Sequence, residues 1–163
     1  MAFTCSVCGE THAGETRDIR MGLPDPIFRL DGDERERRAY VDGDFAALDG
    51  DRFFVRALLE LPIAGEDGYF GYGAWVEVSE PDAAVLGALW DDEEGAQAAP
   101  FPGELANELS PYAFTEGLPV RLRLRDVRLL PLVELDEANH ELVRAQRRGI
   151  SLHRAHELAG TVA

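Results

Sequence analysis

Apolar and polar residues alternate strictly over Val120-Arg-Leu-Arg-Leu-Arg125, which puts Val120, Leu122 and Leu124 on one face of a strand and three arginines on the other. A second strand, Val127 to Leu135, is expected to pair with it. Two apolar runs, Asp44 to Leu48 and Arg52 to Glu60, flank Asp49-Gly50-Asp51, the composition of a hairpin turn, and Pro62 ends the second run. Tyr69 to Val78 alternates aromatic and small residues and reads as a further strand, whose glycines admit a close neighbour.

Helical spacing takes over after Ser79, an N-cap residue: from Pro81 onward Val85, Leu86, Leu89 and Trp90 share one face. The acidic run Asp91 to Glu94 opposes a C-terminal helix dipole and is expected at or beyond the helix end, as a solvated loop. A short exposed helix is expected over Asp33 to Tyr40, with acids early and arginines late. Between Gly95 and Tyr112 three prolines allow only a helical turn near Glu104 to Leu109. Two closing helices are predicted, His140 to Arg148 before Gly149, and Leu152 to Ala159 between Ser151 and Gly160. Together these elements predict an α+β fold, a single domain over residues 1–163 with an antiparallel β-sheet and helices on one side. Met1 to Leu30 is expected to be an irregular N-terminal CxxC loop region packed onto it.

A length of 163 residues with 45% hydrophobic and 29% charged residues suits one self-sufficient core, so disulfide-scaffold and disordered classes are excluded. The most apolar run, Ala83 to Trp90, is far shorter than the roughly 18 residues of a spanning helix. The N-terminus lacks the basic and apolar segments of a secretory signal, and the expected location is cytoplasmic.

Charge changes the picture of partners. The 16 basic residues are all arginine, and against 31 acidic ones they leave a net charge of −15. Nucleic-acid binding by counterion release needs a concentrated basic surface, so no nucleic acid is expected as partner, and anionic membranes are disfavoured alike. A basic protein would be steered toward this surface.

The sharpest chemical signal is Cys5-x-x-Cys8-Gly9-x-x-His12. A CxxC turn brings two thiolates to one tetrahedral metal, and soft sulfur at this spacing selects Zn²⁺ over Mg²⁺ or Ca²⁺. With no further cysteine, His12 is a third candidate ligand, and the fourth position falls to His140, His153, His156 or water. His153 and His156 are three apart on a predicted helix beside Arg154 and Glu157, the pattern of a solvated face; His140 stands at a predicted helix start, where it can cap the helix or point to another segment. Four protein ligands make a closed structural site, whereas three and a water leave an open one beside which Glu60 or Glu134 could act as general base. A thioredoxin-like role fits less well, because the CxxC lies outside any βαβ pattern.

The remaining signals are less specific. Arg121, Arg123 and Arg125, with Arg128 nearby, could grip an anion bidentately, but in so acidic a chain their natural partners are its own carboxylates. Arg56 and Glu60 could pair or line a pocket. The aromatic group Tyr69, Phe70, Tyr72, Trp75 and Trp90 reads as core. The chain contains no GxSxG, P-loop, HExxH, GxGxxG or EF-hand motif, so the commonest hydrolase, nucleotide and calcium readings lack support.

The order of motifs resembles an uncharacterised bacterial family, domain of unknown function 2199, over nearly the whole chain. Its carriers are Cys5-x-x-Cys8-Gly9-x-x-His12, Phe53-Phe-Val-Arg56 with Leu59-Glu-Leu-Pro62, Gly73-Ala-Trp-Val-Glu-Val-Ser79, and Gly103-x-Leu105 with Leu109 and Tyr112. Pro131-x-x-Glu134, His140-x-Leu142, Gln146 and Gly149-Ile-Ser151 complete it. Glu104 and Glu141 depart from it, standing where an aromatic and a proline are familiar. The resemblance implies that Cys5, Cys8, His12 and His140 belong together, which makes His140 the expected fourth zinc ligand; it implies no activity. The leading expectation is a bacterial cytosolic zinc-binding interaction module, with a zinc-dependent hydrolase and an acidic immunity or antitoxin-type protein as alternatives.

Overall fold

The computed structural model describes residues 2–4, 11–13 and 18–160. Its spine is a long antiparallel pair, β6 (Arg52–Pro62) and β7 (Tyr69–Val78), preceded by β1 (Ala2–Thr4), β2 (Thr11–Ala13), β3 (Asp18–Arg20), α1 (Asp25–Phe28), α2 (Gly32–Arg38), β4 (Ala39–Asp42) and β5 (Phe45–Leu48). After β7 come α3 (Glu80–Leu89), a 3₁₀ turn at Glu93–Gln97, β8 (Phe101–Leu105), β9 (Pro119–Arg123), β10 (Leu132–Leu135), α4 (Glu141–Arg148) and α5 (Leu152–Gly160).

Period-two patterning explains how β6 and β7 sort their side chains. The register sets Val55 opposite Val76, Ala57 opposite Ala74, Leu59 opposite Tyr72 and Leu61 opposite Phe70, and all eight are buried on one face. Burying each large member contributes about 1.5–3 kcal/mol. From β7 the sheet continues through β8, β9 and β10, each antiparallel to the last, and β10 returns to β6 at Leu132 beside Leu58. Five strands thus close into a barrel. Four antiparallel joints around an odd number of strands leave the closing joint parallel, and it is. Val120, Leu122, Leu124, Val133 and Leu135 complete the inner core, joined by Leu86 of α3, Leu142 and Val143 of α4 and Leu158 of α5.

The expected all-antiparallel sheet is therefore corrected to a mixed one, for β3 also runs parallel to β7. The first 30 residues contribute more regular structure than expected, with β3 on the sheet and α1 sealing a second core of Ile27, Ala46, Leu48, Phe54, Trp75 and Ala106 on the outer face. The glycines of β7 do admit close neighbours: a Cβ on Gly71 would lie 2.5 Å from Asp18 Oδ1 and 2.9 Å from Leu58 Cδ1.

The expected hairpins and helices are otherwise present within a residue or two, including the Asp49–Asp51 turn and the Ser79 cap, whose hydroxyl accepts from Asp82 N–H. Two differ. The strand expected from Val127 starts at Leu132, because Asp126 accepts from Arg128 N–H and its carbonyl from Leu129 N–H, closing a turn. No helical turn forms at Glu104–Leu109; Ala106 N–H instead donates to Trp75 O and prolongs the β8 pairing.

Candidate functional site

Alternation sends the Arg121 and Arg123 side chains out of the barrel wall into a groove of about 780 Å³ over β9, β10 and α4. Each meets a carboxylate: Arg121 is 3.3 Å from Asp136 and Arg123 is 3.4 Å from Glu134, while Arg125 lies 3.7 Å from Glu60 and donates to Leu130 O. Both glutamates considered as general bases thus face arginines. Arg56 does not pair with Glu60; it reaches Asp44 at 3.7 Å and lies over the Trp75 ring. One end of the groove is finished by Gln146, whose amide accepts from Leu135 N–H and donates to Val133 O. The side chain pairs with β10 as a neighbouring strand would, where β6 has diverged.

The second construction is the connection from β8 to β9. Asn107 and Thr115 are its fully buried polar residues. Asn107 Oδ1 accepts from Trp75 N–H at 2.8 Å, and Nδ2 donates to Leu23 O and Asp25 Oδ1, both at 2.9 Å. Asp25 Oδ2 accepts from Glu108 N–H, and the two Glu108 oxygens accept from Thr115 N–H and Glu116 N–H. Thr115 Oγ1 accepts from Leu109 N–H and donates to Asn107 O. Buried polar groups are tolerable when every one is partnered, and a network so closed fixes one loop geometry.

His140 secures this loop to α4. Its Nδ1 accepts from Leu142 N–H at 3.0 Å as the helix N-cap, so the proton resides on Nε2, which donates to Ala113 O at 2.8 Å. On the other side Arg29 and Glu116 form a bidentate pair at 2.7 and 2.8 Å, and this hydrogen-bonded guanidinium holds the Glu116 carboxyl below its ordinary range. Tyr112 is buried beneath Arg154, and Tyr72 Oη donates to Ser110 O; burial raises the pKa of both phenols.

What this scaffold displays is Phe114. The residue is 85% exposed, and its φ of 58° is in the left-handed region, unusual for an aromatic residue. Phe28, 66% exposed, stands beside Arg29 at the end of α1.

Of the expected metal ligands, Cys5 and Cys8 lie outside the described residues. β1 and β2 pair antiparallel, with His12 opposite Phe3. His140 has both ring nitrogens in hydrogen bonds and can join a metal only by exchanging one of them. His153 and His156 are on α5, with His153 3.9 Å from Glu157. Among the described residues no group of three or more His, Cys, Asp or Glu side chains is placed to hold a metal, and no helix is long and apolar enough to cross a membrane. Sequence reasoning did not single out Asp25, Asn107, Glu108, Thr115 or Phe114. Only Leu109 and Tyr112, within the same loop, carried a signal, through the family pattern.

No curated protein matches this chain, and no solved structure does. A family model described as an uncharacterized protein conserved in bacteria, DUF2199, matches residues 4–150, from the CxxC segment through the β10–α4 junction to Ile150. The chain belongs to this bacterial family of uncharacterised proteins.

Proposed function

We propose that this protein is a zinc-binding interaction module that presents the β8–β9 loop to a basic protein partner. The observation that carries the reading is Phe114, an exposed aromatic side chain held at a costly φ by a loop whose buried polar groups are all engaged. Backbone strain of about 1–3 kcal/mol persists only where the surroundings enforce it, and aromatic anchors dominate binding energies when a partner desolvates them. The net charge of −15 favours a partner of opposite sign.

The zinc part rests on ligand chemistry and spacing. Cys5 and Cys8 would supply two thiolates and His12 an imidazole, with His140 as fourth ligand on exchanging its bond to Ala113 for the metal. A site so closed contributes folding energy and no catalysis. In that arrangement metal occupancy and the position of the Phe114 loop are coupled through His140.

Metal content and free-thiol titration of the purified protein test the first part. About one zinc per chain, lost in Cys8→Ser, is expected; a metal-free chain with two reactive thiols overturns it. For the second part, crosslinking at low salt is run in parallel on the wild type and Phe114→Ala. A basic protein captured by the wild type and lost by the variant is expected, and equal recovery by both overturns the role of Phe114.

A further inference from the structure

We infer that β4 is a dimerisation edge, along which a second copy of this chain pairs antiparallel to the first about a two-fold axis through Val41. The strand ends the eight-stranded sheet, with β5 on one side and, among the described residues, no strand on the other. Arg38 O accepts from Asp49 N–H, which makes that pair hydrogen-bonded, and antiparallel alternation then assigns Tyr40 and Asp42 to the bonds with β5. The Val41 N–H and C=O therefore point away from the sheet, as does the Ala39 C=O, whereas the Ala39 N–H is spent on Arg35 O. Natural edges are shielded by proline, lysine, bulges or cover. β4 has none of the first three, its register is continuous, and Tyr40 and Val41 are 67% and 43% exposed.

Two features favour a second copy as the occupant. The first is charge. Arg37 and Arg38 precede the strand and Asp42 and Asp44 follow its start, so an antiparallel copy centred on Val41 sets the arginines of each chain beside the aspartates of the other. Among the described residues Arg37 and Asp42 have no ion-pair partner within the chain. The second is shape: Tyr40 borders an apolar slot of about 370 Å³ with Phe45, Ala47, Phe53 and Ala83. In the dimer Tyr40 stands opposite the second copy's Asp42, and the two Tyr40 rings are diagonal neighbours, about 7–8 Å apart at their backbones and within aromatic reach. Reciprocal bonds between the two Val41 residues, with Gly43 N–H reaching the opposite Ala39 O, complete the ladder.

Sedimentation velocity over rising protein concentration at physiological salt tests this, with circular dichroism as a check on folding. The wild type is expected to pass from 18.0 kDa to twice that mass with a dissociation constant tighter than about 1 mM. Val41→Pro removes only the outward N–H and should leave the melting curve intact while abolishing the dimer. Arg37→Glu, on an exposed helix end, should weaken it about two- to five-fold. A chain monomeric throughout, leaving the slot to a different segment or to none, overturns the inference. So does a dimer that survives Val41→Pro unchanged.

Discussion

Arg56 and Trp75 stand directly opposite each other across β6 and β7, with the guanidinium carbon 4.8 Å from the centre of the indole. The pair closes the outer face of the barrel wall where the second core begins, and Trp75 Nε1–H donates to Met21 O to hold the N-terminal segment down. Burial and the neighbouring Arg20 lower the pKa of Arg56, yet a guanidinium remains charged at any physiological pH. Arg56→Met retains the stem and removes the cation. It should destabilise by about 0.5–2 kcal/mol in urea titration, and an unchanged midpoint would show the contact to be idle.

The buried network beneath the Phe114 loop should be the most sensitive polar feature of the molecule. Asn107→Leu leaves the Trp75 N–H, the Leu23 carbonyl and Asp25 each short of a partner. A loss of about 3 kcal/mol or more is expected, and Thr115→Val, which strips two bonds, should cost about 1–3 kcal/mol. Chemical denaturation measures both; losses under 1 kcal/mol would mean that water replaces these partners.

Phe114 should trade stability for display. Phe114→Gly relieves the left-handed strain at the cost of chain entropy, for a net gain of about 0.5–1 kcal/mol. A higher melting temperature together with lost partner capture is the expected pair of results. A lower melting temperature would place the ring among the stabilising contacts.

His140 has two separable duties. His140→Asn keeps an N-cap acceptor for Leu142 N–H and gives up the bond to Ala113, whereas His140→Ala loses both. The alanine variant should be less stable than the asparagine one by about 1 kcal/mol. Amide exchange should reveal the Ala113 segment loosened in both; protection equal to the wild type would free that loop from His140.

The Arg29–Glu116 pair supplies a pH dependence of known sign. Because the folded carboxyl titrates below its ordinary 4.5, the contribution is complete above that value and is lost as pH falls through the lower, folded one. The stability difference between wild type and Glu116→Gln should shrink as pH drops below about 4.5. A difference constant through that range would leave the carboxylate charge without a role.

Much of the architecture was legible because it follows from period and punctuation. The alternation of Val120 to Leu124, the Asp49–Asp51 turn and the Ser79 cap are local facts, and each element formed where its pattern placed it. Barrel closure was not legible, since it depends on Leu132 meeting Leu58, residues far apart in sequence whose pairing no local pattern encodes. The arginine stripe was readable as self-paired from charge balance alone. Asn107 and Thr115 were not, because a buried asparagine looks like a loop residue until its partners at Leu23, Asp25 and Trp75 are brought around it. His140 was legible as a residue with a role, and its capping was one of the readings its position allowed.

The closure of the barrel through one parallel pair also says something about how the molecule breathes. Every other joint of the ring is a ladder between consecutive strands, but the Leu58–Leu132 joint links the first strand of the ring to the last and is held by a single register pair, the Leu58 N–H to Pro131 bond and the Gln146 clasp beside it. Long-range joints form late, after the entropy of closing the intervening chain has been met, and open first. The ring therefore has a clasp rather than a uniform hoop. Hydrogen exchange should detect it as early unprotection of the Leu58 and Leu135 amides, the donors of the clasp, while the β6–β7 ladder stays shut.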